Sequence, residues 1–223
     1  MRAMTSQTAP SASSPDHMIL ALAATARVLH DFSNVLSGLS SGLELAGGDL
    51  DPDLKAEGIA LAESSAKTMG DLLEFFRLAY AANPQPCDGA RLQALARAVF
   101  PNPRVRLHWE GGAGTAPGSV ARITLLFGQI AAMGMRAGGD VTFAMAASGT
   151  SAFEVSVRGQ GVKAELPREV ADGLDGRPCS DGVLGRWAPG AITRAVVLAE
   201  QGDLSWGGAP DAFEIRARLP SIT

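Results

Sequence analysis

The stretch RVLHDFSNVL, residues 27–36, places a histidine and an acid side by side within a leucine-rich segment. His30 is followed by Asp31, and its neighbours at helical spacings of three, four and seven residues are small or polar apart from Arg27. Such neighbours leave an imidazole open to a partner's surface. A carboxylate that keeps one ring nitrogen protonated leaves the other as a nucleophile, which can attack phosphorus directly. His30 and Asp31 are therefore the candidate catalytic residues, for phosphoryl transfer through histidine.

The other two histidines and the two cysteines give less evidence of a functional site. His17 falls in the first turn of a predicted helix and His108 in a predicted strand, so both are interpreted as incidental. An incidental surface histidine also competes as the interpretation of His30, because short motifs produce many false positives. Cys87 and Cys179 lack the spacing of metal ligands, and we expect them to be free thiols.

A long first helix is predicted to carry His30. Ser14–Asp16 combines a capping side chain, a proline for the first helical position and an acid that the helix dipole favours. The helix is expected to continue to Ala46, and Gly47–Gly48 ends it. Its apolar residues recur every seven positions and predict a packing seam, formed by Leu22, Leu29, Leu36 and Leu43 with Phe32 and Leu39 between them.

A second helix is predicted from about Pro52 to about Ala82, where Asn83–Pro84 stops it. Two long helices joined by a short turn form an antiparallel hairpin. A lone hairpin cannot cover both of its apolar faces, whereas two hairpins form a four-helix bundle, so we expect a homodimer. A patch of small residues predicts a close helix approach, at Gly38, Ser41 and Gly42.

Composition changes after NPQPCDG, residues 83–89. Alternating runs such as RVRLHWE, DVTFAMAA and FEVSVRG predict strands, and DLSWGG with AFEIRARLP predicts a closing hairpin. Helices are expected near residues 91–99, 119–136 and 189–202. This order predicts an α+β sandwich with helices on one face of a mixed sheet. The expected organisation is a disordered tail at 1–15, a helical hairpin at 16–83 and the sandwich at 88–220.

The composition of the chain indicates which kinds of partner and which cellular location to expect. Hydrophobic residues make up 46% of the 223 residues and charged ones 19%, which is typical of a globular protein. A formal net charge of -4 gives no support for nucleic-acid binding through bulk charge. The first residues lack the apolar stretch of a secretory signal, and no run reaches the ~18 apolar residues of a membrane helix. We therefore expect a cytoplasmic protein.

The segment LHDFSNVLSGLSSGLEL resembles the phosphoacceptor segment of histidine kinases, and especially that of the ChpT-type histidine phosphotransferases of alphaproteobacteria. AESSAKTMGDLLEFFRLAYAA resembles their second helix, and GDVTFAMAA with FEVSVRG falls where their degenerate ATPase-like domain lies. The resemblance spans roughly residues 18 to 220. It implies an N-terminal hairpin that forms a dimeric four-helix bundle, followed by a histidine-kinase ATPase-like α/β sandwich. Ser33-Asn34 stands where that family commonly has Ser-Pro.

By this resemblance, His30 accepts a phosphoryl group and Asp31 assists it. Candidates for the docking face are Arg27, Ser33, Asn34 and Ser37. The implied partners are receiver domains of a hybrid kinase and of a response regulator, between whose aspartates the group passes. Any magnesium belongs to the receiver's acidic pocket, so no cofactor of the chain's own is expected.

An active kinase of this layout should also carry nucleotide-binding chemistry. The helix SVARITLLFGQIAAMGMRA has Gln129 in place of a magnesium-binding asparagine, and Arg158 stands where an acid should receive the adenine amine. A guanidinium only donates hydrogen bonds, so it cannot accept a hydrogen bond from the adenine amine. We therefore predict no autonomous ATP-dependent kinase activity. A divergent ATP-dependent histidine kinase and a non-catalytic receiver-binding scaffold remain the alternatives.

Overall fold

The computed structural model describes residues 17–49, 51–111, 114–147, 152–179 and 184–220. The predicted start at Ser14–Asp16 and the tail at 1–15 lie outside this part of the chain. Its helices are α1 (His17–Gly47), α2 (Pro52–Ala79), α3 (Gly89–Ala98), α4 (Gly118–Gly134), α5 (Arg168–Leu174) and α6 (Leu184–Ala199). Its strands are β1 (Cys87–Asp88), β2 (Val105–Glu110), β3 (Thr115–Ala116), β4 (Gly139–Ala147), β5 (Ala152–Gln160), β6 (Asp203–Ala209) and β7 (Ala212–Pro220).

The two long helices form the predicted antiparallel hairpin. The Asp51 side chain caps α2 by accepting from the Asp53 amide at 2.9 Å. A side chain at Gly42 would come within 2.7 Å of the α2 backbone, and one at Gly38 would come 2.9 Å from the Ser65 hydroxyl. The close approach predicted for the small residues is thus confirmed at the two glycines, whereas Ser41 is exposed.

The α/β part contains a five-stranded sheet in the order β2-β4-β5-β7-β6. Strands β2 and β4 are parallel because helix α4 connects them, and the other neighbours are antiparallel. Alternation directs apolar residues such as Val141, Phe143, Val155 and Val157 into the core, while the opposite face of the sheet is largely polar. The predicted α+β sandwich is confirmed.

One hydrophobic core joins the hairpin to the sandwich. Phe75 and Phe76 near the end of α2 belong to the same buried cluster as the residues of α4 and the sheet. On the other helix, Ala23 is fully buried against Trp187 and its neighbours on α6. The half of the hairpin that carries His30 is therefore packed onto the sandwich.

Several predicted boundaries were wrong. Helix α2 ends at Ala79 rather than near Ala82, and α6 begins at Leu184, so that Pro189 lies inside it. Helix α5 was missed, since a seven-residue helix shows little periodicity. The two-residue strands β1 and β3 were also missed, because their pairing joins distant parts of the chain.

The seven-residue repeat on α1 does not form the contact with α2. The four leucines, which we call the leucine stripe, are 52–61% exposed rather than packed in the hairpin, namely Leu22, Leu29, Leu36 and Leu43. The face of α1 that contacts α2 instead includes Phe32, whose ring lies 5.8 Å from that of Phe76. A hairpin covers only one face of each helix, so periodicity alone does not tell which face that is.

Helix α1 is also, by length and composition, the one described helix that could cross a membrane. The mean hydropathy of its most apolar window is 1.2. These criteria are weak, because core helices of soluble proteins also meet them. Much of the apolar character comes from the leucine stripe, and Arg27, His30 and Asp31 interrupt it. Only 6% of this window is buried, so the observation identifies an exposed apolar face on α1.

Candidate functional site

His30 projects from α1 with 63% of its side chain exposed. Its Nδ1 lies 3.1 Å from an Asp31 carboxylate oxygen and 3.4 Å from the Asn34 amide nitrogen. A carboxylate accepts hydrogen bonds and does not donate them, so a hydrogen bond to Asp31 requires the ring proton on Nδ1. In that form the longer contact with the Asn34 amide nitrogen, which is also a donor, is not a hydrogen bond. No described residue contacts Nε2, which then carries the lone pair and faces solvent.

Asp31 is held from its other side by Arg27. The Arg27 Nε donates to one carboxylate oxygen at 3.0 Å, and its Nη2 lies 3.0 Å from the other. The two side chains are only 18% and 14% exposed. A two-point guanidinium contact fixes the plane of a carboxylate as well as its charge. Arg27, Asp31 and His30, hereafter the His30 cluster, thus form an ordered chain that ends at an open ring nitrogen.

The remaining predicted docking residues surround His30 on the solvent side of α1. Ser33, Asn34 and Ser37 are exposed, at spacings of three, four and seven residues from His30. The Ser37 hydroxyl donates to the Ser33 carbonyl at 2.9 Å, so it is satisfied within the helix. Arg27 differs from these three, because its guanidinium is engaged by Asp31.

Two residues near the cluster were not predicted to belong to the site. The Tyr80 hydroxyl, at the end of α2, donates to the Gln129 side-chain oxygen on α4 at 3.0 Å. Burial raises the pKa of Tyr80 to about 12, while Arg27 lowers it and Asp31 raises it, so both charges lie within electrostatic reach of the hydroxyl. Tyr80 is the only tyrosine in the chain, and this is the one feature of the sequence that could have drawn attention to it.

The α/β part does not fit a nucleotide with its magnesium ion. Gln129, at the position of the metal-binding asparagine, is 1% exposed and turned toward Tyr80. Arg158 points to the outer face of the sheet, where it pairs with Glu214 at 3.4 Å. Because side chains alternate along β5, the residue that faces the helices there is Val157, which offers no acceptor either. Part of the predicted lid, residues 180–183, lies outside the described chain.

Like His30, His108 contacts an aspartate that an arginine also contacts, but it lies on strand β2 rather than on the hairpin. Its Nε2 lies 2.7 Å from Asp140, which Arg106 also contacts at 2.9 Å through Nε. These partners lower the pKa of Asp140 to about 2, Arg106 more than His108. The group lies on the exposed face of β2 and β4, far in sequence from the hairpin. It serves below as a matched control.

The described chain thus joins a helical hairpin that exposes His30 beside Asp31 to an α/β sandwich. The family of the histidine phosphotransferase C-terminal domain matches residues 89–211, which is more than half of the chain. The chain belongs to the histidine phosphotransferase family. The resemblance to ChpT-type proteins seen in the sequence is thereby confirmed.

Two solved structures resemble the chain, and the first of them supports the same fold. A bacterial phosphotransferase solved at 1.7 Å aligns with 92% of this chain and 98% of its own, at 19% identity and a TM-score of 0.77. A histidine kinase domain from the blue-light activated kinase of Erythrobacter litoralis EL346 aligns with 84% of this chain and 94% of its own, at 14% identity and a TM-score of 0.47. No curated protein matches the sequence significantly.

Proposed function

We propose that the chain carries a phosphoryl group on His30 between aspartates of receiver domains, from a hybrid kinase to a response regulator. The observation that supports this most is the contact of Nδ1 with Asp31, which leaves Nε2 exposed as a nucleophile. Family membership supports the class of reaction. The receivers themselves are inferred from that class and not from a contact in the structure.

The chemistry follows from the charge pattern of the His30 cluster. The Nε2 lone pair attacks the phosphorus of an aspartyl phosphate, the P–O bond to the aspartate breaks, and a P–N bond forms. The ring becomes cationic in this step, and the Asp31 carboxylate stabilises it at Nδ1. Arg27 holds that carboxylate in place, so its role is to orient Asp31. The receiver supplies magnesium and most of the charge neutralisation.

The docking face of this proposal is the exposed surface of α1 around His30. Ser33, Asn34 and Ser37 present small polar groups there, which allow a receiver to approach the ring closely. The hairpin at 16–83 would thus carry the chemistry, and the sandwich at 88–220 would support the hairpin and contribute to docking.

The leucine stripe supports a homodimer as part of this proposal. Four leucines at seven-residue spacing leave a long apolar face on α1, and Leu54 and Leu61 of α2 are also more than 40% exposed. Contiguous exposed apolar faces of this length mark interfaces. A second hairpin would cover them as a four-helix bundle. Leu36→Glu should yield a monomer by light scattering, whereas Ser41→Glu, exposed on a different side of α1, should remain dimeric.

The direct test is label transfer without ATP. Purified protein is mixed with receiver domains of the same organism, phosphorylated with labelled phosphate, and the label on each protein is followed in time. We expect label on the wild type and on His108→Ala, and none on His30→Ala. His108→Ala is the matched control, because His108 also has an aspartate and an arginine as partners. Label on His30→Ala would refute the assignment of the chemistry.

The non-catalytic scaffold makes the opposite prediction for the same variants. If the hairpin only sequesters a receiver, His30→Ala preserves both binding and signalling. The divergent-kinase alternative predicts thermal stabilisation by nucleotide, because a ligand that binds only the folded state raises the melting temperature. The engaged Gln129 and the outward Arg158 argue against it.

A further inference from the structure

Two loops of the α/β part pass close to each other, one after α4 and one after β5. The Glu165 amide donates to the Gly134 carbonyl at 3.3 Å. A few residues away, a Cβ at Gly161 would lie 2.7 Å from the Gly138 carbonyl oxygen, so only glycine permits this approach. The two loops are therefore held together at both of their ends.

Each loop carries one cation between these contacts, Arg136 in the first and Lys163 in the second. Both residues are exposed, and neither side chain forms an ion pair or a hydrogen bond with any residue that the structure describes. The Lys163 backbone has a left-handed φ of 57°, and its amide donates to the Asp211 carboxylate at 2.7 Å. Like charges repel each other, so two cations on backbones fixed in this way favour an anion between them.

A cavity of about 290 Å³ lies beside these loops and is lined by a third cation as well. This cation is Arg186 of α6, which is only loosely paired, since its Nη1 lies 3.6 Å from a Glu169 carboxylate oxygen. Glu165 is the one acid among the described residues that line the cavity. The lining thus carries three cations, from three separate segments of the chain, and one carboxylate.

We propose that Arg136, Lys163 and Arg186 bind the phosphate group of a small ligand. A phosphate dianion accepts several charge-assisted hydrogen bonds, which arginine and lysine side chains donate. The cavity volume lies at the lower end of the range of ligand pockets, which suits a phosphate with a short substituent. The Glu165 carboxylate only accepts hydrogen bonds, so it favours a substituent with hydroxyl groups over a second anionic group.

This phosphate site is separate from the His30 cluster. None of the described residues that line the cavity belongs to the hairpin, and neither Gln129 nor Arg158 is among them. Binding there requires no receiver and no phosphoryl transfer. The inference therefore goes beyond the proposed function of His30 and does not depend on it.

The test titrates the purified protein with inorganic phosphate and with ribose 5-phosphate by isothermal titration calorimetry. Unphosphorylated ribose is the ligand control, and the ionic strength is held constant because salt screens exposed charges. The variants Arg136→Gln and Lys163→Gln remove one cation each. Arg104→Gln is the matched control, because Arg104 is an exposed arginine that packs beside Gly138 but does not line the cavity. Circular dichroism checks that every variant is folded.

We expect saturable binding of both phosphate probes to the wild type and to Arg104→Gln, and no binding of ribose. Arg136→Gln and Lys163→Gln should each lower the affinity roughly tenfold, because each loses a charge-assisted hydrogen bond. Ribose 5-phosphate should bind more tightly than inorganic phosphate, whereas the reverse order would assign the site to free phosphate.

Two results would overturn the proposal. The first is the absence of binding for both phosphate probes. The second is a loss of affinity in Arg104→Gln equal to that in Arg136→Gln and Lys163→Gln, since this would show general attraction to surface charge rather than a site. Neither result bears on label transfer to His30, so the two proposals can fail separately.

Discussion

The helix crossing in the hairpin predicts opposite effects for the same substitution at two glycines. Gly42 of α1 faces α2, where an added Cβ would lie 2.6 Å from the Ala62 amide nitrogen and 2.7 Å from the Gly58 carbonyl oxygen. Gly70 of α2 is exposed, and a Cβ there would meet nothing within 4 Å. Gly42→Ala should therefore destabilise the protein, and Gly70→Ala should stabilise it.

The magnitudes follow from these distances. Carbon contacts are optimal near 3.5–4.0 Å, so Gly42→Ala requires the two helices to separate locally by roughly 1 Å. Overpacking of this kind costs about 1–3 kcal/mol, and the alanine regains about 0.5–1 kcal/mol of helix propensity. At Gly70 the added Cβ meets no neighbour, so only the gain in helix propensity remains. With about 2–4 °C per kcal/mol for a chain of this size, Gly42→Ala should lower the melting temperature by several degrees and Gly70→Ala should raise it slightly.

Thermal unfolding followed by circular dichroism measures both effects at one fixed protomer concentration, because a dimer's melting temperature depends on concentration. Gly58→Ala provides a second crossing position, since its Cβ would lie 2.7 Å from the Ala46 amide nitrogen. The reasoning is refuted if Gly42→Ala and Gly58→Ala melt at or above the wild-type temperature, or if Gly70→Ala melts below it.

Three further outcomes are expected. The pKa of Tyr80 in the folded protein lies above its ordinary value of 10.0, so the neutral hydroxyl contributes about 2–3 kcal/mol to the free energy of unfolding below pH 10. This contribution should be lost as the pH rises toward 12. Urea titration should show this loss in the wild type and no such slope in Tyr80→Phe. Asp31→Asn should slow phosphorylation of His30 roughly 10²-fold with unchanged circular dichroism, and a wild-type rate would contradict the role of Asp31. Arg122→Met removes both the hydrogen bond to the Ala81 carbonyl and the ion pair with Glu200, and it should lower the free energy of unfolding by about 2–3 kcal/mol. A change near zero would show that these two contacts together add nothing.

Much of the hairpin and the sheet could be predicted, because local periodicity reflects backbone geometry. The turn at Asp51, the lengths of the two long helices and the alternation in β2, β4, β5 and β7 were recognised to within a few residues. Helix α5 and the short pair β1 and β3 escaped, because a few residues carry no periodic signal and are ordered by contacts with distant parts of the chain.

For the site, the sequence alone determined that an acid follows His30 on a helix and that small polar residues surround it. Tertiary structure decided which way each helix faces. It turned the leucine stripe outward, directed Arg158 away from the helices, and brought Tyr80 to Gln129 across 49 residues. Neighbours within one helix follow from its 3.6-residue period, whereas contacts between elements depend on the rotation and packing of both, and only the folded core sets these.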